Sequence, residues 1–169
     1  MSSNRNSVMD RWLEEVFDQF ETPLLRYVLR FVVRHDLAQD VVQDAFLKLC
    51  DQDLNTLNTT VGAWLYRVCR NRALDVLKKE KRMQPILSEP DRIGPTADPA
   101  EIALQRDEAN SAVRAMQTLT ERQQEVVRLK LEHEMTYQEI GDVLGLTASN
   151  VGYILHHSLK AVREQLNSP

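Results

Sequence analysis

Residues 67–82 hold seven basic side chains, Arg67, Arg70, Arg72, Lys78, Lys79, Lys81 and Arg82, against Asp75 and Glu80. Guanidinium and ammonium groups bind phosphate oxygens, and concentrating them on one stripe prepares a surface for a polyanion. Asn71 sits among them. Its amide offers donors and an acceptor together, a set suited to a base edge more than to bare phosphate. Projected on a helix, Arg67, Arg70, Asn71 and Lys78 share one arc, and Leu65, Val68, Cys69, Ala73, Val76 and Leu77 share the other. Read alone, the polar arc could equally be a solvated charged face. Trp64, Tyr66 and Tyr27 read as core rings rather than stacking platforms.

A second polar face lies toward the C-terminus. Val151, Leu155, Ser158 and Val162 fall on one side of a helix, flanked by Ile154 and Leu159. The opposite side carries Ser149, Tyr153, His156 and Lys160, with His157 and Arg163 at its margins. Such a helix can enter a major groove and meet base edges with its N-terminal side chains. A plain helical hairpin with a wet face is the competing reading. His133, His156 and His157 lack the HExxH or paired-carboxylate spacing of metal chemistry. No metal, cofactor, small-molecule substrate or catalytic centre is expected.

Helices must position both faces. Only 5 glycines occur in 169 residues, and β-branched residues seldom alternate with polar ones, so the fold class is all-α. Helical spacing begins near Val8. Thr22-Pro23 reads as an N-cap with proline at the first helical position, opening a helix lined by Leu24, Leu25, Val28, Phe31 and Val32. Asp36 can cap the next helix, striped by Val41, Val42, Ala45, Phe46 and Leu49. The polar stretch Asp51 to Thr60 is a loop, and a long helix spans about Val61 to Arg82.

Pro85, Pro90, Pro95 and Pro99 then interrupt any helix. The chain therefore divides into a domain over 1–82, a flexible Pro-rich linker over 83–100 and a domain over 101–169. Helix resumes near Glu101 and runs to about Gln117. Thr120 with Gln123 and Thr136 with Glu139 are capping boxes. Gly145 suits a left-handed turn, and Thr147 caps the last helix, completing a helix-turn-helix. Cys50 and Cys69 both fall on apolar arcs and read as buried free thiols. The net charge is −4, so the basic stripe is local. No apolar run is long enough to span a membrane, and Met1 to Asp10 has no apolar signal core. A cytoplasmic location without membrane insertion is expected.

The residues also resemble a family. The stretch Asp40-Val41-Val42-Gln43-Asp44-Ala45-Phe46-Leu47-Lys48-Leu49 looks like the polymerase-binding helix of bacterial sigma factors. The stretch Ala63-Trp64-Leu65-Tyr66-Arg67-Val68-Cys69-Arg70-Asn71-Arg72-Ala73-Leu74-Asp75 looks like their promoter-melting helix. Leu119 to Val127, Thr136 to Gly141 and Thr147 to Val151 resemble their second, upstream-binding domain. Over about residues 8–166 the chain resembles the extracytoplasmic-function (ECF) group of the sigma-70 family, which keeps these two domains alone.

The resemblance implies a transcription initiation factor that carries core RNA polymerase to promoter DNA. Asp40, Gln43, Asp44 and Phe46 would contact the polymerase clamp helices. Arg67, Arg70, Asn71 and Lys78 would hold the −10 element, and a loop with Asp53, Asn55 and Asn58 would capture an unstacked base. Ser149, Asn150, Tyr153, His156, His157 and Lys160 would read the −35 element. An anti-sigma factor is a further partner that membership would bring. One departure stands out: Gly152, Ile154 and His157 occupy positions where the family usually places arginine or lysine. Phosphate attraction by this helix is therefore expected to be weak, leaving more to base contacts and DNA shape.

The rival reading is a stand-alone helix-turn-helix regulator whose N-terminal half dimerises or senses a signal; an all-helical hydrolase is a distant third. A dimerisation domain needs neither the loop nor the Asn71 face. The four prolines generate a first prediction. Limited proteolysis of the full chain should cut first between about Met83 and Pro99. First cleavage inside residues 36–82 would contradict that boundary.

Overall fold

The computed structural model describes residues 2–83 and 111–167. Among these residues there are helices and no strand. They form two compact units, one within residues 1–92 and one within 93–169. Most of the expected linker, and the expected helix start near Glu101, lie outside the described residues; Met83 ends the last helix of the first unit.

The first unit packs α1 (Ser2–Val28), α2 (His35–Cys50) and α3 (Val61–Met83), each against the other two. Pro23 lies inside α1 instead of opening a helix. Interior proline lacks the N–H that would bond the carbonyl four residues back, at a cost of roughly 3 kcal/mol. Here Val16 lies buried before the proline and Leu24, Tyr27 and Val28 after it. One apolar stripe on both sides of the proline keeps the helix continuous through its local defect.

Asp36 does not cap α2. The N-cap is Arg34, without a side-chain cap bond, and Asp36 stands in the first turn. Its carboxylate accepts from Arg34 Nε at 3.2 Å and from a second guanidinium nitrogen. That bidentate partner holds the Asp36 carboxyl below its usual range and raises the Arg34 guanidinium. A carboxylate in the first turn also complements the helix dipole. Along α2, Ala38, Val41, Val42, Ala45, Phe46 and Leu49 are buried. From α3, Ala63, Trp64, Leu65, Tyr66, Cys69 and Ala73 are buried. Tyr27, Trp64 and Tyr66 are thus core rings. Burial pushes the Cys69 thiol up to about 12, and it pushes the Tyr66 phenol up as well. Cys50 is exposed, contrary to the sequence reading. It is the last residue of α2, a further 100° around the helix from buried Leu49.

The second unit holds a helical segment over 111–117, then α4 (Glu121–Leu131), α5 (Tyr137–Leu144) and α6 (Ala148–Asn167). Both capping boxes form. Thr120 Oγ1 accepts from Gln123 N at 3.3 Å while Gln123 Oε1 accepts from Thr120 N at 3.0 Å. Thr136 Oγ1 accepts from Glu139 N at 3.2 Å, and Glu139 Oε2 accepts from Thr136 N at 2.9 Å. Thr147 Oγ1 accepts from Asn150 N at 3.2 Å and starts α6. Val126, Leu129, Ile140, Val143, Val151 and Leu155 form the core. Buried Ser158 donates to the Ile154 carbonyl at 2.7 Å, which satisfies its hydroxyl inside an apolar face.

The turn between α5 and α6 needs two glycines for different reasons. Gly145 is left-handed, at φ 69° and ψ 40°. Gly141 accepts the Leu146 N–H at 2.9 Å, and a Cβ on it would lie 2.5 Å from the Leu146 carbonyl oxygen. That oxygen is backbone and cannot swing aside. Gly141→Ala should therefore destabilise the second unit by about 1–3 kcal/mol, the usual cost of overpacking. Thermal unfolding of the full chain followed by circular dichroism measures this; an unchanged melting profile would contradict the close approach.

Candidate nucleic-acid interface

On α2, Asp40 and Gln43 are exposed and Asp44 is half-buried. Asp44 has a partner within the unit, since Arg72 Nε lies 3.4 Å from its Oδ2. Both side chains are near half exposure, so the pair contributes no more than about 1 kcal/mol. Phe46 is only 9% exposed, and its ring lies 4.8 Å from that of Phe17. It belongs chiefly to the core. Leu47 is the exposed apolar residue of this face, at 65%.

On α3, Asn71 and Lys78 are exposed, while Arg67 and Arg70 are half-buried along their stems. Asn71 also lines an open groove of about 540 Å³ with Asp44, Leu47, Lys48, Asp51, Val68, Arg72 and Asp75. The α2 and α3 polar faces therefore meet along one edge, which projecting each helix alone does not reveal. Lys48, Asp51 and Arg72 join the candidate site through that groove. Their signal in the sequence was faint, since exposed charges on a helix are ordinary.

The loop before α3 is shaped by its own side chains. Asp53 caps a short 3-10 turn (Leu54–Thr56), its Oδ1 accepting from Asn55 N and Asn55 Nδ2, each at 3.0 Å. Thr56 Oγ1 donates to the Asp53 carbonyl at 2.7 Å, and Gln52 Nε2 donates to Thr56 Oγ1 at 3.2 Å. Asp53 and Asn55 are exposed but spend bonding capacity on the turn; Asn58 is also exposed. These bonds tie the turn to its own side chains.

In the second unit, Ser149, Asn150, Tyr153, His156, His157 and Lys160 are all exposed along α6. Tyr153 is 64% exposed and its ring lies tilted against that of His157, with centroids 4.2 Å apart. His156 meets His157 edge-on at 5.5 Å. Lys160 Nζ lies 3.9 Å from Glu164 Oε1, an exposed pair one turn apart. The sets assigned to the −10 and −35 elements thus occupy separate units, the first on α3 and the loop before it, the second on α6.

Two known domains correspond to these two units. Residues 16–83 match the family model for sigma-70 region 2, and residues 115–164 match sigma-70, region 4. The chain belongs to the sigma-70 family. It is a sigma factor, a subunit that binds core RNA polymerase and directs it to promoter DNA. The expected membership of the sigma-70 family is upheld, and the stand-alone regulator is not favoured. A search of curated proteins finds no match. Among solved structures, the fold is similar to that of the sigma factor RpoE from Bartonella quintana, crystallised with the anti-sigma factor NepR. The TM-score is 0.66 at 20% identity, covering 90% of this chain and 95% of that one. It is also similar to CnrH, solved in complex with the cytosolic domain of CnrY, with a TM-score of 0.61 at 20% identity over 94% of this chain and 89% of that one. No helix among the described residues of this sigma factor is long and apolar enough to cross a membrane.

Proposed function

We propose that this sigma factor divides promoter recognition between its two units, with residues 1–82, 83–100 and 101–169 acting as polymerase and −10 domain, linker and −35 domain. The observation that carries the reading is the shared edge of α2 and α3. There Asp44 and Lys48 of α2, with Asp51 just beyond its end, line one groove with Asn71, Arg72 and Asp75 of α3, while Asp40 and Lys78 are exposed on their helices. The α2 face docks on the clamp helices of core polymerase through Asp40, Gln43 and Asp44, with Phe46 supporting it from beneath. The α3 face holds the −10 element, and the Asp53–Thr60 loop receives an unstacked base. Exposed Asn71 offers the amide for a base edge, and the arginines hold the backbone.

The α6 face reads the −35 element through Ser149, Asn150, Tyr153, His156, His157 and Lys160. Their exposure supports this, as does the turn built on Gly141 and Gly145. The protein acts in the cytoplasm, without catalysis or cofactor of its own, and an anti-sigma protein is a partner consistent with the complex of RpoE with NepR. The polymerase role is tested by replacing Asp40 and Asp44 with lysine. Association with core polymerase at low salt should slow by roughly five- to tenfold, since rim charges act mainly on encounter. The difference should shrink as salt rises, with helicity unchanged. Equal association rates for variant and wild type at low salt would contradict the docking face.

A further inference from the structure

Residues 148–159, the first three turns of the −35-reading helix, contain no lysine or arginine. Lys160, which follows, shares its charge with Glu164 at 3.9 Å. DNA affinity nevertheless draws on phosphate neutralisation, so a fixed cation should stand near this helix on another element. Gly152 points to where. A Cβ at Gly152 would lie 3.3 Å from Tyr137 Cε2 and 3.6 Å from Cδ2. The tyrosine ring of α5 therefore rests on the α6 backbone at that notch, and a long side chain at 152 would displace it. Tyr137 is still 43% exposed. Lys130, from α4, sets its Nζ 5.5 Å from the centroid of the same ring and donates to the Met135 carbonyl at 3.1 Å.

We propose that Lys130 and Tyr137 form a phosphate-binding arm beside the reading helix, contacting the DNA backbone at the −35 element. The glycine notch trades a cation on α6 for one anchored on α4. A carbonyl and an aromatic face hold the ammonium in place while leaving its full charge, and the phenol adds a hydroxyl donor. Both groups are fixed before DNA arrives, so little side-chain entropy is lost on binding. The arm supplies affinity and carries no base information, because phosphate contacts position and base contacts specify. This assignment rests on α6 being the −35-reading helix.

The test uses holoenzyme assembled from the full chain and core polymerase. Binding is measured to promoter duplexes with the cognate or a scrambled −35 element, from roughly 50 to 300 mM salt. Lys130→Gln should lower the slope of log affinity against log salt by about 0.9, the value for one phosphate contact, on both duplexes alike. Lys130→Arg should retain the slope; a lysine that merely braces the 131–136 turn would leave the slope unmoved in either variant. Tyr137→Phe keeps the ring in the notch and should weaken binding about threefold on both duplexes. It carries the test if Lys130→Gln lowers the melting temperature. Tyr153→Ala, run alongside, should change the preference between duplexes and leave the slope intact. An unaltered slope for Lys130→Gln or unaltered affinity for Tyr137→Phe, with Tyr153→Ala still shifting preference, overturns the arm alone. No effect from any of the variants overturns the arm and the reading of α6 together.

Discussion

The first unit depends on the apolar seam between α2 and α3. Val41, Val42, Ala45 and Leu49 from one helix, and Leu65, Cys69 and Ala73 from the other, are all buried. Each large side chain removed from water contributes about 1.5–3 kcal/mol, far more than the Asp44–Arg72 pair at the rim. The seam therefore sets where each helix sits, and polar contacts adjust to it. Once the seam occupies one side of each helix, only the other side can be functional. The same packing that stabilises the unit brings the polar faces of α2 and α3 to a common edge. A change in the seam would move both faces together.

The second unit reaches its form by a different constraint. Two of its helices are short, α4 at Glu121–Leu131 and α5 at only Tyr137–Leu144. Helices of this length are marginal alone, so capping and turn chemistry carry more of the specification. Two capping boxes fix where α4 and α5 begin, and Gly141 and Gly145 let the chain fold back closely enough for α6 to dock. Val151 and Leu155 then anchor α6 through one face. Tyr153, His156 and Lys160 are outward because those residues are inward.

Features set by local chemistry were legible in the sequence. The capping boxes, the Gly145 turn, the Thr147 cap, the polar break before Val61 and the outward face of α6 all follow from residue type at short spacing. Features settled by tertiary competition were not. Pro23 signals a helix start locally, but the stripe through Val16, Leu24 and Val28 outweighs it. Asp36 has the chemistry of a cap, yet the helix starts one residue before it and the carboxylate turns to Arg34. Cys50 continues the apolar arc of α2 on a wheel, but nothing packs beyond Leu49 to cover it. A helical wheel also shows one helix at a time. Asn71 appears on it as the centre of an isolated basic face, whereas the fold places it at the rim of a groove that Asp44 shares.

That placement leaves the Asn71 amide exposed beside the seam. If α3 opens the promoter, the amide acts only on unpaired DNA. The direct measurement is permanganate footprinting of unpaired thymines at the −10 element, comparing wild type with Asn71→Ala on duplex and on pre-melted templates. The variant should bind polymerase and form the closed complex normally, open duplex promoters more slowly, and recover when the bubble is already present. Opening of duplex promoters by Asn71→Ala at the wild-type rate would contradict the account.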